Sequence, residues 1–348
     1  MRLTFLTRYG SLGASSRYRF YLYAELMRGS GHKINVCRFF SDSYLKRLYN
    51  GRIRNPLHIP GAFLRRIKDL LLRRGDNMVI EYELLPFMPY FIEKMFIGNS
   101  RYVLNFDDNV WEKYKGIPWL RGKYDRLIEN AAGVIAANDF LLQKAAFLNK
   151  NSTLIPTVVN PELYKSTQAK FDKFTLIWIG TPVTYSYIEA HAETLRAMAL
   201  QCDFELLIVA RRSLRERAIE GVRMRFMDWS QEREGEAVAR SHVGIMPLTD
   251  DEFSRGKSAF KIIQYQAAGL PVIASPVGAN ITVVEDGLSG FLAGTKVKWV
   301  EAVRRLQNER SLYSTMSAAA LRASDNYSIQ KYFPKFEVFL KSAFNNKN

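Results

Sequence analysis

The sequence predicts two successive doubly wound α/β domains. Short apolar runs that read as buried strands alternate with helical patterns along the whole chain. The same pattern restarts after residues 157–172, and 348 residues suit two domains at about 100–200 residues each. Ligands in such sheets bind outside the carboxyl ends of the strands, so a crevice between two facing domains is the expected site.

The first half opens with a strand, Leu3–Thr7, and a Gly/Ser loop from Gly10 to Ser16. A helix pattern runs through Tyr18–Arg28 and stops at Gly29-Ser30-Gly31, and a strand follows at Ile34–Phe40. Further strands are Met78–Ile80, Tyr102–Phe106, Gly133–Ala136 and Thr153–Ile155. In the second half, strands are expected at Phe174–Ile179, Phe204–Val209, Arg223–Phe226, Val243–Leu248, Pro271–Ala274 and Gly290–Ala293, with a helix over Ile188–Ala199. The division expected is 1–168, 169–325 and a C-terminal helical segment 326–348 that packs back on the first domain.

Composition excludes several classes. Hydrophobic residues at 47% and charged residues at 24% are the balance of a globular protein, not a disordered one. Two distant cysteines, Cys37 and Cys202, exclude a disulfide scaffold or a cysteine zinc site. The N-terminal segment reads as a strand rather than a signal peptide, and no run of about 18 apolar residues occurs, which makes the cytoplasm the expected compartment. The net charge of +16 is uneven. Residues 1–170 hold 27 Lys+Arg against 14 Asp+Glu, and residues 171–348 hold 23 against 20. A basic half points to anionic lipid, nucleic acid or phosphorylated ligands, and no nucleic-acid module accompanies it.

The stretch from Asp250 to Ala293 carries the chemistry. A polar loop, Thr249 to Lys257, follows a strand, and Ser258 is the expected N-cap of a helix running to about Ala268 with Gly269 as its stop. Lys257 and Lys261, four apart, are expected on one side of this junction, continued by Gln264 and Ala268. A second tight loop, Pro276 to Asn280, leads into another helix start, and such starts bind phosphate. Solvated lysines and ordinary glycine turns are the plainer reading of each residue alone.

The string Lys257, Phe260, Lys261, Tyr265, Ala267-Ala268-Gly269-Leu270-Pro271-Val272, Gly278, Glu285-Asp286-Gly287 and Gly290-Phe291 resembles the C-terminal motif of glycosyltransferase family 4, retaining enzymes of the GT-B fold. Trp178-Ile179-Gly180-Thr181-Pro182 resembles the first strand and diphosphate loop of that family's nucleotide domain. Glu83–Phe87, Phe106–Trp111, Ile155–Thr157 and Asn326–Ser328 are similar to a bacterial surface-polysaccharide subgroup. The resemblance implies a nucleotide-sugar donor bound by Gly13, Gly180, Thr181, Arg255, Gly256, Lys257, Lys261, Gln264, Gly278 and Asn280. It implies retention of anomeric configuration, with no protein nucleophile.

The sequence departs from the family at the paired glutamates, at His242, where members often have Asp, and at a missing Arg and Lys pair. Gly256 and Gln264 stand where members commonly carry two glutamates, the first meeting the donor sugar and the second holding the ribose hydroxyls. Gln264 keeps the ability to hydrogen-bond a ribose hydroxyl through its amide, which both accepts and donates. The Arg and Lys pair that many members place after the first strand of the nucleotide domain is missing, leaving Thr181 and the amides after it to serve the diphosphate.

No Asp-x-Asp metal clamp is present. Lysines and a helix start stabilise a leaving diphosphate without a divalent ion, so neither metal nor cofactor is expected. Asp107 and Asp108 follow a strand, and either carboxylate suits orienting or deprotonating an acceptor hydroxyl; a loop cap or a salt bridge to Lys113 is the alternative. Catalytic candidates are therefore Asp107, Asp108 and Lys261. Trp229 flanks the nucleobase or belongs to the core.

Residues 46–74 hold nine Lys+Arg and one acid. Phe63, Leu64, Ile67, Leu70 and Leu71 form a helical stripe flanked by Arg65, Arg66, Lys68, Arg73 and Arg74. This helix either lies on an anionic membrane or packs its stripe on the domain core. The expected function is transfer of a sugar to a lipid-linked oligosaccharide in bacterial surface polysaccharide, lipopolysaccharide included, at the inner face of the membrane. The rivals are a GT-B enzyme with a soluble acceptor, an epimerase, and a non-catalytic sugar-nucleotide binder.

Overall fold

A computed structural model describes residues 1–49 and 58–345. The chain divides into two units, Met1–Val158 with Gly256–Ser258 and Ile329–Asn348, and Val159–Arg255 with Ala259–Ser328. The first of these divisions falls between Val158 and Val159. The helix Ile329–Asn345 groups with the first unit.

The first unit holds β1 (Arg2–Thr7), β2 (Lys33–Arg38), β3 (Asn77–Glu81), β4 (Tyr102–Phe106), β5 (Gly133–Ala136) and β6 (Ser152–Leu154), all parallel, in the order β2-β1-β3-β4-β5-β6. Strand alternation sends Leu6, Ile80 and Leu104 to one face and Phe5, Val79 and Val103 to the other. The C-terminal helix covers the second face. Its Phe336 ring lies 4.2 Å from that of Tyr23 and 6.2 Å from that of Phe5, and Arg101 Nη2 donates to the Ala343 carbonyl at 2.9 Å.

The helix expected over Tyr18–Arg28 is not uniform. A wide π-helical stretch, Arg17–Tyr21, precedes the α-helix Leu22–Gly29. The looser turn buries Arg17, Tyr18, Arg19 and Phe20 in succession. Arg19 spends its charge on the Asn105 side chain (2.8 Å), the Ile155 carbonyl (3.0 Å) and the Thr157 hydroxyl (3.2 Å).

The basic segment also differs from expectation. Its helix, His58–Leu72, buries Ala62, Arg66 and Leu70. Arg66, expected on the solvent side, instead donates to the Thr7 carbonyl at 2.6 Å. Leu64, Leu71 and Leu72, by contrast, are 69%, 60% and 67% exposed. The stripe therefore splits, one edge packed and one edge outward among exposed Arg65, Lys68 and Arg74. Arg52 and Arg54 of the segment lie outside the described residues. No helix among the described residues is long and apolar enough to cross a membrane.

The second unit holds β7 (Thr175–Ile179), β8 (Glu205–Ala210), β9 (Met224–Asp228), β10 (Val243–Met246), β11 (Val272–Ala274) and β12 (Gly290–Leu292), again all parallel, in the order β12-β11-β10-β7-β8-β9. Strand order reverses between β7 and β10, the switch point at which doubly wound sheets take ligands. β10 stops before Pro247, which lacks a ladder donor; Leu248 N–H turns to the Ser275 hydroxyl at 3.0 Å. The helix expected over 188–199 breaks at His191 into Ser186–Ala190 and Ala192–Gln201.

Beyond β3, the first unit buries a cluster of charges. Lys123 Nζ lies 2.6 Å from Glu83 Oε2 and 2.8 Å from Glu93 Oε1, with Lys113 also on Glu83. Tyr114 donates its hydroxyl to Glu83, and Leu85 N–H donates to Glu93 at 2.8 Å. Burial alone raises a carboxyl, yet Lys123 and Lys113 hold Glu83 down to about 2. Burial wins at Glu93, which is pushed up to about 7 despite Lys123. A carboxyl raised above its unfolded value contributes stability that is full below about 4.5 and lost as pH rises through about 7. Glu93→Gln is therefore expected to flatten this part of the pH dependence. Relative to the parent, its unfolding free energy should gain about 1–3 kcal/mol between pH 5 and pH 8. Urea unfolding across that range checks this; parallel curves for the two proteins would refute it.

Candidate functional site

The candidate residues of the second unit gather at the carboxyl ends of β7, β10 and β11, which are neighbours in the sheet. The loop after β7 starts at Gly180, where a Cβ would stand 2.1 Å from the Trp178 ring. Thr181 N–H donates to the Thr184 hydroxyl at 3.0 Å, and Thr184 N–H donates to Thr181 Oγ1 at 3.3 Å. The loop thus closes on itself, and Thr181, expected to serve a diphosphate together with the amides after it, is bound to Thr184.

After β10 the chain makes a short helix, Glu252–Arg255, and then the helix Phe260–Ala267. Ser258 is not its cap. Ala259 takes that place in a left-handed conformation (φ 52°), which costs a non-glycine residue strain. Lys257 therefore lies outside the helix, and the expected helical spacing between Lys257 and Lys261 does not occur. Lys257 Nζ sits 3.6 Å from Asp108 Oδ1. Lys261 stands on the first turn of the helix, its Nζ 5.8 Å from the Trp178 ring centre. Tyr265, buried on the same helix, accepts from Ile179 N–H at 3.0 Å and so ties the helix to the end of β7.

Arg255 is exposed and held by Asp250 at 2.7 Å. Gly256 is buried, and its carbonyl accepts from Asn138 Nδ2 at 3.0 Å. The loop after β11 carries Gly278 at φ 54°, where a Cβ would lie 2.6 Å from the Arg255 carbonyl oxygen. Asn280 is buried and donates to the Ser275 carbonyl at 3.0 Å, bracing this loop. The helix expected after it does start there, Asn280–Val283, and is a single turn.

Gln264 is 3% exposed. Its Nε2 donates to Tyr164 Oη and to Glu234 Oε1, both at 2.6 Å. Tyr164 donates to the same Glu234 oxygen at 3.2 Å, and Trp229 Nε1 donates to Glu234 Oε2. Trp229 is thus half-buried and anchored by its indole nitrogen.

In the first unit, the loop after β1 runs through Gly13, whose N–H donates to the Gly10 carbonyl at 3.1 Å. Asp42 Oδ1 accepts from Leu12 N–H at 3.1 Å, and a Cβ at Gly10 would overlap that carboxylate. Glu81, fully buried at the end of β3, accepts from Arg8 N–H at 2.7 Å and the Ser16 hydroxyl at 2.6 Å. Asp107 is buried after β4 and accepts from the Tyr82 hydroxyl, from Ser15 Oγ at 3.0 Å and from Thr157 Oγ1 at 3.5 Å. Burial holds the Tyr82 hydroxyl far above its ordinary range, with Asp107 and Asp108 adding to this, so it stays a donor. Tyr82 itself is left-handed at φ 62°. Asp108, with its side chain 45% exposed, is the more accessible of the two carboxylates. Lys113 pairs with Glu83, not with Asp107 or Asp108 as the salt-bridge alternative had it.

Sequence reasoning missed Glu81, Tyr82 and Glu93 with Lys123, and Tyr164 and Glu234 around Gln264. One signal was available for the first set: Glu81-Tyr82-Glu83 follows directly on the buried run Met78–Ile80. Among the described residues, no group of three or more His, Cys, Asp or Glu side chains is arranged to hold a metal ion.

Residues 173–309 match the family described as "Glycosyl transferases group 1". A segment of 100 residues is 29% identical to D-inositol 3-phosphate glycosyltransferase of Nocardioides sp. (strain ATCC BAA-499 / JS614), covering 24% of this chain and 22% of that protein's own length. Among solved structures, Anabaena Alr3699/HepE in complex with UDP-glucose superposes with TM-score 0.74 at 14% identity, covering 98% of this chain and 100% of that one. Sucrose-phosphate synthase from Thermosynechococcus elongatus gives 0.71 at 15% identity, covering 99% of each.

The loop after β11 supplies a prediction independent of function. Gly278→Ala adds a Cβ against the Arg255 backbone in a left-handed conformation and is expected to cost about 1–3 kcal/mol. A urea midpoint equal to the parent's would show that the loop tolerates the change. The structure has the GT-B fold, and the chain carries a glycosyl transferases group 1 domain over residues 173–309.

Proposed function

We propose that the protein is a retaining glycosyltransferase of family 4. It moves a sugar from a nucleotide-sugar donor to a growing lipid-linked oligosaccharide in bacterial surface-polysaccharide assembly. The observation that carries the donor half is the pair of features at the β7/β10 switch point, the Gly180–Thr184 loop and Lys261 near Trp178, inside the matched domain, with Gln264 three residues on from Lys261 on the same helix. Two of the similar structures hold UDP and UDP-glucose, which supports a nucleoside diphosphate there.

Lys261 faces the charge that develops on the leaving diphosphate, a preorganised cation in place of a divalent ion. Gln264 reads the ribose. In the first unit Asp107 holds Ser15 and Tyr82 in place, while Asp108 orients or deprotonates the acceptor hydroxyl. Donor turnover measured with and without excess EDTA tests this reading. The parent is expected to be indifferent to the chelator, and Lys261→Ala to lose about 2–4 kcal/mol of transition-state stabilisation. EDTA-abolished activity restored by Mg²⁺ would refute the metal-free reading, and parent-like kinetics in the alanine variant would remove Lys261.

For the acceptor half, the helix His58–Leu72 favours a membrane surface over a soluble acceptor. Exposed Leu64, Leu71 and Leu72 stand among exposed Arg65, Lys68 and Arg74, the pairing that seats a helix in an anionic interface. Each basic residue near such a surface adds about 1 kcal/mol. Co-sedimentation with phosphatidylserine-containing vesicles should fall with added salt. It should also fall when these three leucines, or these three basic residues, are changed to Ser. Binding that ignores lipid charge and both sets of substitutions would return the helix to a purely packing role.

A further inference from the structure

The donor site as proposed departs from its family at Gln264, and the hydrogen bonds around that side chain specify what the departure does. Both hydrogens of the Gln264 amide are taken, one by Tyr164 Oη and one by Glu234 Oε1, each at 2.6 Å. A carboxylate accepts only, so it fixes which end of the amide faces it. Tyr164 closes the triangle by donating to the same Glu234 oxygen, and Trp229 Nε1 holds the second oxygen. Glu234 is itself buried, on the helix Gln231–Arg240, capped by the Ser230 side chain.

We infer that Glu234 is a positioning residue that turns Gln264 into a pure hydrogen-bond acceptor toward the ribose of the donor nucleotide. With Nε2 saturated, Gln264 has only Oε1 to offer, and no described residue donates to it. An amide locked this way presents a ligand with the same polarity as a carboxylate, without the charge. It accepts from a ribose hydroxyl and offers nothing to an acceptor.

Gln264→Glu is not a tolerated return to the family residue, because it sets two buried carboxylates in hydrogen-bond contact, and both cannot stay ionised. The compensating exchange, Glu234→Gln with Gln264→Glu, keeps one carboxylate and one amide in contact. In that double variant the amide now at position 234 donates to one oxygen of the carboxylate at position 264 and leaves the other oxygen as an acceptor.

This inference rests on the proposed donor site, and the test separates the two. UDP, GDP and ADP are titrated by calorimetry, and the best binder is compared with its 2′-deoxy and 3′-deoxy forms. The parent is expected to bind the ribose form about tenfold more tightly than at least one deoxy form, the value of a hydrogen bond to a buried acceptor. Glu234→Gln lets the Gln264 amide turn over and should reduce that discrimination to about twofold or less. The double variant should restore it. Gln264→Glu alone is read without ligand: its melting temperature should fall relative to the parent's as pH rises from 5 to 8, because one carboxyl must stay protonated. A parent that binds none of the three nucleotides overturns the donor reading itself. A parent that binds but ignores both hydroxyls, a double variant no more discriminating than Glu234→Gln, or a pH-independent Gln264→Glu melt overturns the positioning role alone.

Discussion

Parallel strands buried on both faces leave polar side chains one place to stand: the strand ends. Each sheet here has six such strands, and their interiors are almost wholly apolar. Helices must return the chain to the same edge each time, so every carboxyl end in a unit opens on one side. Chemistry is thereby concentrated before any catalytic residue is chosen. Glu81 at the end of β3, Asp107 after β4, Gly180 after β7 and Ser275 after β11 are consequences of that constraint.

The first unit treats its strand ends as a load of charge to be balanced. Glu83 and Glu93 share Lys123, with Tyr114 and Lys113 completing the set around Glu83. Removing one member of such a group leaves an uncompensated buried charge. Beside it, Asp107 collects three hydroxyls and leaves Asp108 as the more exposed carboxylate. Left-handed Tyr82 and Phe87 bracket the connecting segment, strain that the surrounding bonds over-determine.

The second unit shows how neighbours decide what one side chain can do. Gln264 reads as a loss when set against a glutamate, since an amide is neutral and turns freely. Its environment removes the freedom: Tyr164 and Glu234 take both amide hydrogens. The orientation of this amide is a property of three side chains from three elements, far apart in sequence.

The sequence by itself determined the architecture. Apolar runs of strand length, separated by helical patterns, place nearly every strand to within a residue or two, Tyr102–Phe106 and Gly133–Ala136 without error. That succeeded because two-faced burial writes a continuous apolar signal into each strand. Local signals failed where a distant group decided the outcome. The Ser258 cap yielded to left-handed Ala259. Arg66 looked solvated and went inward because the Thr7 carbonyl was there to receive it. The charged network and the Glu234–Gln264–Tyr164 triangle join residues up to 100 positions apart. Periodicity reports which face of an element is buried, but hydrogen-bond partners at such separations exist only once the strands are ordered, so only the tertiary structure decided them.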